Sequence, residues 1–378
     1  MMAAMLTIAY DPSIPYAEEF FSSLGVLKKI DPRTVRSHDL KDADVLLIRS
    51  TLLVNSALLS GTAVKVICTA SAGLNHIQLD EIQSAQFAIF HGKGANALAV
   101  ADYVLAAFFE TRQYQNIVQP TIGIVGLGNI GSQVYRRLLS LGFSCVGCDP
   151  LISDTSNYHM KNFHDVLNCD VITFHVPLTT TGSHPTFHLL NQEMIHRVRA
   201  GSVVINTSRG EVIDTQYVLE RMRVKNDLTL VFDVWENEPD INRELVERCH
   251  LSTPHIAGWS DTAKKNIVFQ LYQQTAQFFH LNTRIDVLKN SRIQKNFLES
   301  AEKIPFFLST LLRECIDLKK LSNDFKQSLM QHQGDVAAVF QQLRNNYRNR
   351  PELSDYCVTT YSEKVAAVFK TFQIKSNT

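Results

Sequence analysis

Short apolar runs recur along the first 260 residues, separated by stretches whose apolar positions follow a helical period. Residues 6–10, 45–48, 64–68 and 87–90 form one series. Residues 122–125, 145–148, 171–174, 203–206 and 228–232 form a second, closed by 251–253. Such runs show little polar alternation, as expected of strands buried on both faces, and their spacing predicts parallel sheets with helical crossovers. A helix is predicted over 16–25, with Gly25 as its stop. Residues 97–112 predict a helix apolar on almost every side, which belongs at a domain junction or a subunit interface. A further helix over 262–279 is expected to cross back to the first series.

Past residue 288 the pattern changes: glycine nearly disappears, and Lys, Asn, Gln and Phe increase. Helices are predicted within 297–321 and 336–347, and a strand at 356–360. The expected organisation is therefore three domains. Residues 1–101 with 266–287 form a substrate-binding lid, 102–265 a nucleotide domain, and 288–378 a small C-terminal domain.

The second series opens on a turn that carries chemistry. Strand 121–125 runs into Gly126-Leu127-Gly128-Asn129-Ile130-Gly131, and an amphipathic helix follows. The first glycine permits the turn, the second admits a pyrophosphate close to the backbone, and the third lets helix and strand pack. The next strand delivers Asp149, where a carboxylate can bind a ribose 2′-hydroxyl and would repel a 2′-phosphate. Strand, turn, helix and acid in this order predict a dinucleotide site, with NAD favoured over NADP. The fold class expected is α/β: two Rossmann-like, doubly wound parallel-sheet domains plus a small α+β C-terminal domain.

Ligands of such sheets bind at the carboxyl ends of the strands. Three strands end there on functional side chains: Arg209 after 203–206, Glu238 after 228–232 and His255 after 251–253. Oxidising an alcohol with NAD needs a base for the hydroxyl proton, and histidine has the nearest pKa. A carboxylate behind it would fix its tautomer, and a guanidinium would hold a substrate carboxylate. Asp233 stands at a strand end near the expected nicotinamide position, and Glu236 receives no role.

Lys+Arg and Asp+Glu are both 37, so no global charge draws the chain to nucleic acid or to an anionic membrane. Cys145 and Cys148 form a CxxC inside a strand, which reads as core rather than as a metal or redox site. No metal is expected. Neither a signal peptide nor a membrane span is visible, so a cytoplasmic protein is expected.

These segments resemble the D-isomer-specific 2-hydroxyacid dehydrogenase family. The resemblance covers residues 5–285, through the glycine turn with Asp149, His175-Val176-Pro177-Leu178, Asn206–Gly210, Asp233–Pro239 and Pro254–Gly258. It implies that Arg209, Glu238 and His255 are catalytic and that NAD is the cofactor. The implied NAD contacts are the turn (Gly126, Gly128, Asn129, Ile130, Gly131), Asp149, Val176, Thr207, Asp233 and Gly258. A narrower match, to members acting on a phosphorylated 2-hydroxy acid, includes Leu47-Ile48-Arg49-Ser50, Thr69–Gly73 and Phe340–Tyr347. It implies substrate contacts at Ser50, Ser71 and Trp259, and a homodimer. Ser71, Val176 and Trp259 stand where that group carries threonine, threonine and tyrosine. At least one of Arg49 and the cluster Arg344, Arg348 and Arg350, which could reach a neighbouring site across a dimer, is expected to hold the phosphate. The alternatives are a different 2-hydroxy acid, such as lactate, glycerate or 3-phosphoglycerate, or an NAD-sensing binding protein.

Overall fold

The computed structural model describes residues 5–71, 73–74, 76–82, 86–111, 119–282, 292–332, 334–347 and 350–377. Arg348 lies outside them. The chain divides into two compact units, Met1–Asn96 with Ser260–Asn290, and Ala97–Trp259 with Ser291–Thr378.

The first unit holds strands β1 (Leu6–Tyr10), β2 (Gly25–Lys29), β3 (Val45–Ile48), β4 (Val66–Thr69) and β5 (Ala88–His91), ordered β2-β1-β3-β4-β5 and paired in parallel. One expectation fails here. The first helix is only Ala17–Phe21, and Gly25 opens an edge strand instead of ending a helix. The reason is backbone proximity: a Cβ on Gly25 would overlap the Leu6 carbonyl, so glycine allows β2 to pair closely with β1. The helix Asp261–Phe278 packs Ile267, Val268, Leu271 and Tyr272 into the same core as Ile8, Phe20 and Phe21.

In the second unit, β6 (Thr121–Val125), β7 (Ser144–Cys148), β8 (Val171–Phe174), β9 (Val203–Asn206), β10 (Thr229–Phe232) and β11 (Leu251–Ser252) form a parallel sheet ordered β11-β10-β9-β8-β6-β7. Alternate residues serve two cores: Val203 and Ile205 enter one cluster, and Val204 enters the other. That is why these strands read as unbroken apolar runs. Chain order reverses between β6 and β8, which defines the crevice where ligands of such sheets bind.

Residues after 292 build a second, three-stranded parallel sheet from β12 (Ile293–Asn296), β13 (Tyr356–Thr359) and β14 (Lys375–Asn377), ordered β12-β13-β14. The apolar helix Ala97–Glu110 finds its cover within this unit. Its Tyr103, Leu105 and Phe108 share a core with Leu308, Leu311 and Leu312 of the helix Ile304–Cys315. A buried ion pair fastens the segment: Arg137 Nη1 donates to Asp102 Oδ1 at 2.6 Å, while Asp102 Oδ2 accepts Leu353 N–H at 2.9 Å. Arg137 Nη2 also donates to the Phe372 carbonyl at 3.4 Å. Removing either charge would strand the other in the core, a loss of about 3–5 kcal/mol.

Candidate active site

The glycine turn follows β6, at the reversal point of the second sheet. Gly126 has φ +86°, and a Cβ there would lie 2.8 Å from the His175 carbonyl oxygen. A Cβ on Gly131 would overlap the Gly126 carbonyl oxygen, so the helix Gly131–Ser140 starts directly against the strand. Gly128 is different: a Cβ there meets nothing within 4 Å. The turn thus has backbone below and open space above, with Asn129 exposed and Ile130 half-buried beside it. These residues fit a pyrophosphate lying on a helix N-terminus.

Asp149 follows β7 beside the turn. Its Oδ2 accepts Leu127 N–H at 2.8 Å and its Oδ1 accepts Leu151 N–H at 3.0 Å. Both bonds hold the carboxylate in place, and each oxygen retains a lone pair for a ribose hydroxyl. Val176 follows β8 and is half-buried, with a methyl 2.9 Å from where a Gly126 Cβ would stand. Thr207 follows β9 and is buried, its hydroxyl 3.5 Å from His175 Nδ1. His175 received no separate role from sequence reasoning. It is buried under the turn, its Nε2 3.0 Å from the Thr173 hydroxyl, and burial pushes its imidazole down to about 3. It is a neutral support.

β11, β10 and β9 are neighbours and parallel, so the segments carrying His255, Glu238 and Arg209 leave the sheet on one edge. Glu238 Oε2 lies 2.7 Å from His255 Nδ1, and Glu238 Oε1 accepts Trp235 N–H at 2.9 Å. Burial opposes ionisation of Glu238. The His255 charge and hydrogen bond, the Trp235 N–H and the Arg344 charge outweigh it and hold the carboxyl below the usual range. With Nδ1–H donated to Glu238, Nε2 of His255 keeps its lone pair for a proton.

Asp233 is the pivot of the His255 loop. Its Oδ1 accepts the Thr253 hydroxyl at 2.6 Å and Ile256 N–H at 2.8 Å, and its Oδ2 accepts Ala257 N–H at 2.9 Å. Burial pushes its carboxyl up, while the His255 charge, the Thr253 hydroxyl and the two N–H groups pull the other way. His255 has φ +56°, a left-handed conformation unfavourable to a side chain with Cβ. The loop's bonds over-determine it. Gly258 and Trp259 finish the turn, closed by Trp259 N–H donating to the Ile256 carbonyl at 2.8 Å.

Arg209 is half-buried, with Nη1 donating to the Ser208 carbonyl at 2.7 Å. Asn206 braces it, accepting the Ser208 N–H and hydroxyl and donating to the Arg209 carbonyl at 3.0 Å. Gly210 then passes so close to the Trp235–Glu236 peptide that a Cβ would overlap it. Glu236, given no role by the sequence, anchors the same loop: it contacts His188 Nε2 at 2.7 Å and accepts Thr215 N–H at 3.2 Å.

In the first unit, Ser50 and Ser71 follow the carboxyl ends of β3 and β4. Ser50 is exposed. The Ser71 hydroxyl donates to the Gly73 carbonyl at 2.8 Å and lies 2.9 Å from the Thr69 hydroxyl. Arg49 pairs with Asp11 at 3.3 Å. Arg350 does not meet its expectation. It is buried, with Nη2 donating to the Ala99 and Ala257 carbonyls at 2.8 and 2.9 Å, so its guanidinium is committed to backbone oxygens of its own chain.

The chain is similar to known proteins over most of its length. Residues 98–257 match the model of the D-isomer-specific 2-hydroxyacid dehydrogenase NAD-binding domain. The chain is 33% identical over 365 residues to an erythronate-4-phosphate dehydrogenase of Pseudomonas putida, covering 95% of this chain and 96% of that one. It is 36% identical over 365 residues to the erythronate-4-phosphate dehydrogenase of Pseudoalteromonas atlantica, covering 94% and 96%. Among solved structures it is similar in fold to D-lactate dehydrogenase of Aquifex aeolicus complexed with NAD and lactic acid. The TM-score there is 0.59 at 24% identity, covering 72% of this chain and 95% of that one. NAD-dependent formate dehydrogenase of Staphylococcus aureus gives TM-score 0.58 at 21% identity, covering 73% and 96%.

Proposed function

The chain belongs to the D-isomer-specific 2-hydroxyacid dehydrogenase family, and from that premise we propose that it oxidises the 2-hydroxyl of 4-phospho-D-erythronate. The product would be 2-oxo-3-hydroxy-4-phosphobutanoate, a step of pyridoxal 5′-phosphate (vitamin B6) synthesis. The protein is an NAD-dependent dehydrogenase. The substrate is inferred from its relatives, and the observation that carries the chemistry is the 2.7 Å Glu238–His255 hydrogen bond.

Bound NAD supplies the hydride acceptor. Gly126, Gly128, Asn129, Ile130 and Gly131 would hold its pyrophosphate, Asp149 its ribose, and Val176, Thr207, Asp233 and Gly258 the nicotinamide end. His255 Nε2 takes the hydroxyl proton as the C2 hydrogen departs with its electron pair and the C–O bond becomes C=O. Glu238 stabilises the imidazolium formed. Arg209 holds the substrate carboxylate and polarises the developing carbonyl. Ser50, Ser71 and Trp259 are assigned to the rest of the substrate.

The test is NADH formation from 4-phospho-D-erythronate, D-lactate, D-glycerate and 3-phospho-D-glycerate in parallel, with the oxo product trapped. The phosphorylated four-carbon acid is expected to show kcat/KM at least about tenfold above the others. Preference for another acid would keep the mechanism and replace the substrate. NAD binding without turnover of any acid would favour a sensor.

The same reading makes the protein a cytoplasmic homodimer. Its seven cysteines are all free thiols and six are buried, which suits a reducing compartment. Among the described residues no helix is long and apolar enough to cross a membrane. Phe306 and Leu298 of the C-terminal segment are exposed and available to a second copy. Light scattering at micromolar concentration should give twice the chain mass of 42.7 kDa, and the monomer mass would refute the dimer.

A further inference from the structure

We propose that the C-terminal segment acts within its own chain as part of the catalytic apparatus, with Arg350 and Arg344 as positioning residues for the His255–Glu238 pair. The proposal rests on the assignment of that pair to proton transfer, and not on the identity of the acid oxidised.

Arg350 holds the loop that carries His255. The loop is strained at His255 itself, so its geometry depends on what grips it from outside. Asp233 takes the N–H groups of Ile256 and Ala257 on one side. Arg350 takes the Ala257 carbonyl on the other, at 2.9 Å, and the Ala99 carbonyl at 2.8 Å. Ala99 lies in the first turn of the helix Ala97–Glu110, a rigid element of the core. The guanidinium therefore ties the catalytic loop to a fixed point, two residues from the base. Burying an arginine is costly, and its carbonyl partners lose a charge-assisted bond if it is removed.

Arg344 acts two residues beyond the loop's other grip. It lies in the last turn of the helix Val336–Asn346, and its guanidinium carbon stands 5.5 Å from the Trp259 ring centroid. Trp259 is held to the loop by its N–H bond to Ile256. A guanidinium over an indole face is attractive and fixes the ring plane. The same charge reaches Glu238, where it supports the carboxylate alongside His255. The charged and titratable groups facing the pair are Asp233 and Arg344, with Tyr347 beside Asp233 and Arg350. Arg344 is thus placed both to set the wall of the pocket and to keep the partner of the base ionised.

The experiment uses the full-length protein and whichever acid it turns over best. Arg344→Gln, Arg344→Lys, Arg350→Lys and Arg350→Met are compared for kcat and KM across pH in the oxidation direction, NAD affinity, melting temperature and oligomeric state. Arg344→Gln is expected to lower kcat about tenfold with NAD affinity retained. Removing a positive charge beside the pair makes its proton harder to lose, so the acid limb of the profile should move to higher pH, and Arg344→Lys should restore its position. Arg350→Lys, which keeps a donor, is expected to lose less kcat than Arg350→Met, whose loss should be about 10–100-fold. An acid limb unmoved in Arg344→Gln, with only KM raised, would make Arg344 a substrate contact and overturn the proposal for it. Arg350 variants altered only in melting or assembly, with kcat intact, would overturn it for Arg350. Should Arg350→Met fail to fold, Arg350→Lys and the Arg344 pair still decide. Full turnover in His255→Ala would instead remove the premise.

Discussion

Replacing His255 with alanine is expected to lower kcat about a thousandfold while leaving NAD affinity within a few-fold of the parent. The separation follows from the fold. The glycine turn and Asp149 lie after β6 and β7, whereas His255 follows β11 at the opposite edge of the sheet. The imidazole is held by Glu238 at 2.7 Å, and its backbone N–H donates to the Asp233 carbonyl at 2.7 Å, which alanine retains. Alanine keeps the loop's backbone bonds to Asp233 at this left-handed position, so the fold should survive. Glu238→Gln is the informative companion. It keeps the size of the side chain but removes the charge that stabilises the imidazolium, so kcat should fall by a smaller factor. In the oxidation direction the rate should rise with pH as the pair sheds its proton. The Glu238 carboxyl lies below the ordinary range, so this partner is ionised well before neutrality. Single-turnover rates with prebound NAD provide the measurement. Near-parental turnover in His255→Ala would exclude histidine as the base.

Gly210→Ala is expected to damage the site from the backbone, by a route unrelated to charge. A Cβ at 210 would overlap the peptide joining Trp235 to Glu236, and backbone cannot give way as a side-chain tip does. The expected cost is about 3 kcal/mol, which corresponds to a fall of roughly 5–10 °C in melting temperature. Activity should fall as well, because the same contact sets Arg209 against the loop that carries Glu238. Gly128→Ala provides the contrast. Its Cβ meets nothing within 4 Å, so melting should stay at the parental value, while the methyl occupies the space of the proposed pyrophosphate seat. Weaker NAD binding by about tenfold or more is expected there. Equal melting temperatures for the two variants would refute the close approach at Gly210.

Much of this was legible in the amino-acid order, and the physical reason is local. Strands buried on both faces must be apolar throughout, so β3, β8 and β9 appear as Val45–Ile48, Val171–Phe174 and Val203–Asn206 with little ambiguity. The glycine turn is legible because Gly126 and Gly131 meet backbone demands that only glycine satisfies. The edge strands were harder to see. β2 carries Lys28 and Lys29, and β12 and β14 are polar or exposed, so no apolar run announces them. Gly25 reads as a helix stop because the Leu6 backbone that requires a glycine lies nineteen positions away.

Residue order alone sufficed for the class of fold, the dinucleotide turn and the arginine, glutamate and histidine placed at strand ends. Each depends on residue type within a few positions of the backbone it shapes. What those residues touch came from long-range packing. It put Glu236 on His188, His175 beneath the turn, and Arg350 on the carbonyls of Ala99 and Ala257. Arg350 shows the reason most clearly. From sequence it is a cation available to a phosphate, because charge is visible in residue order and burial is not. Packing of residues hundreds of positions apart gave it its partners.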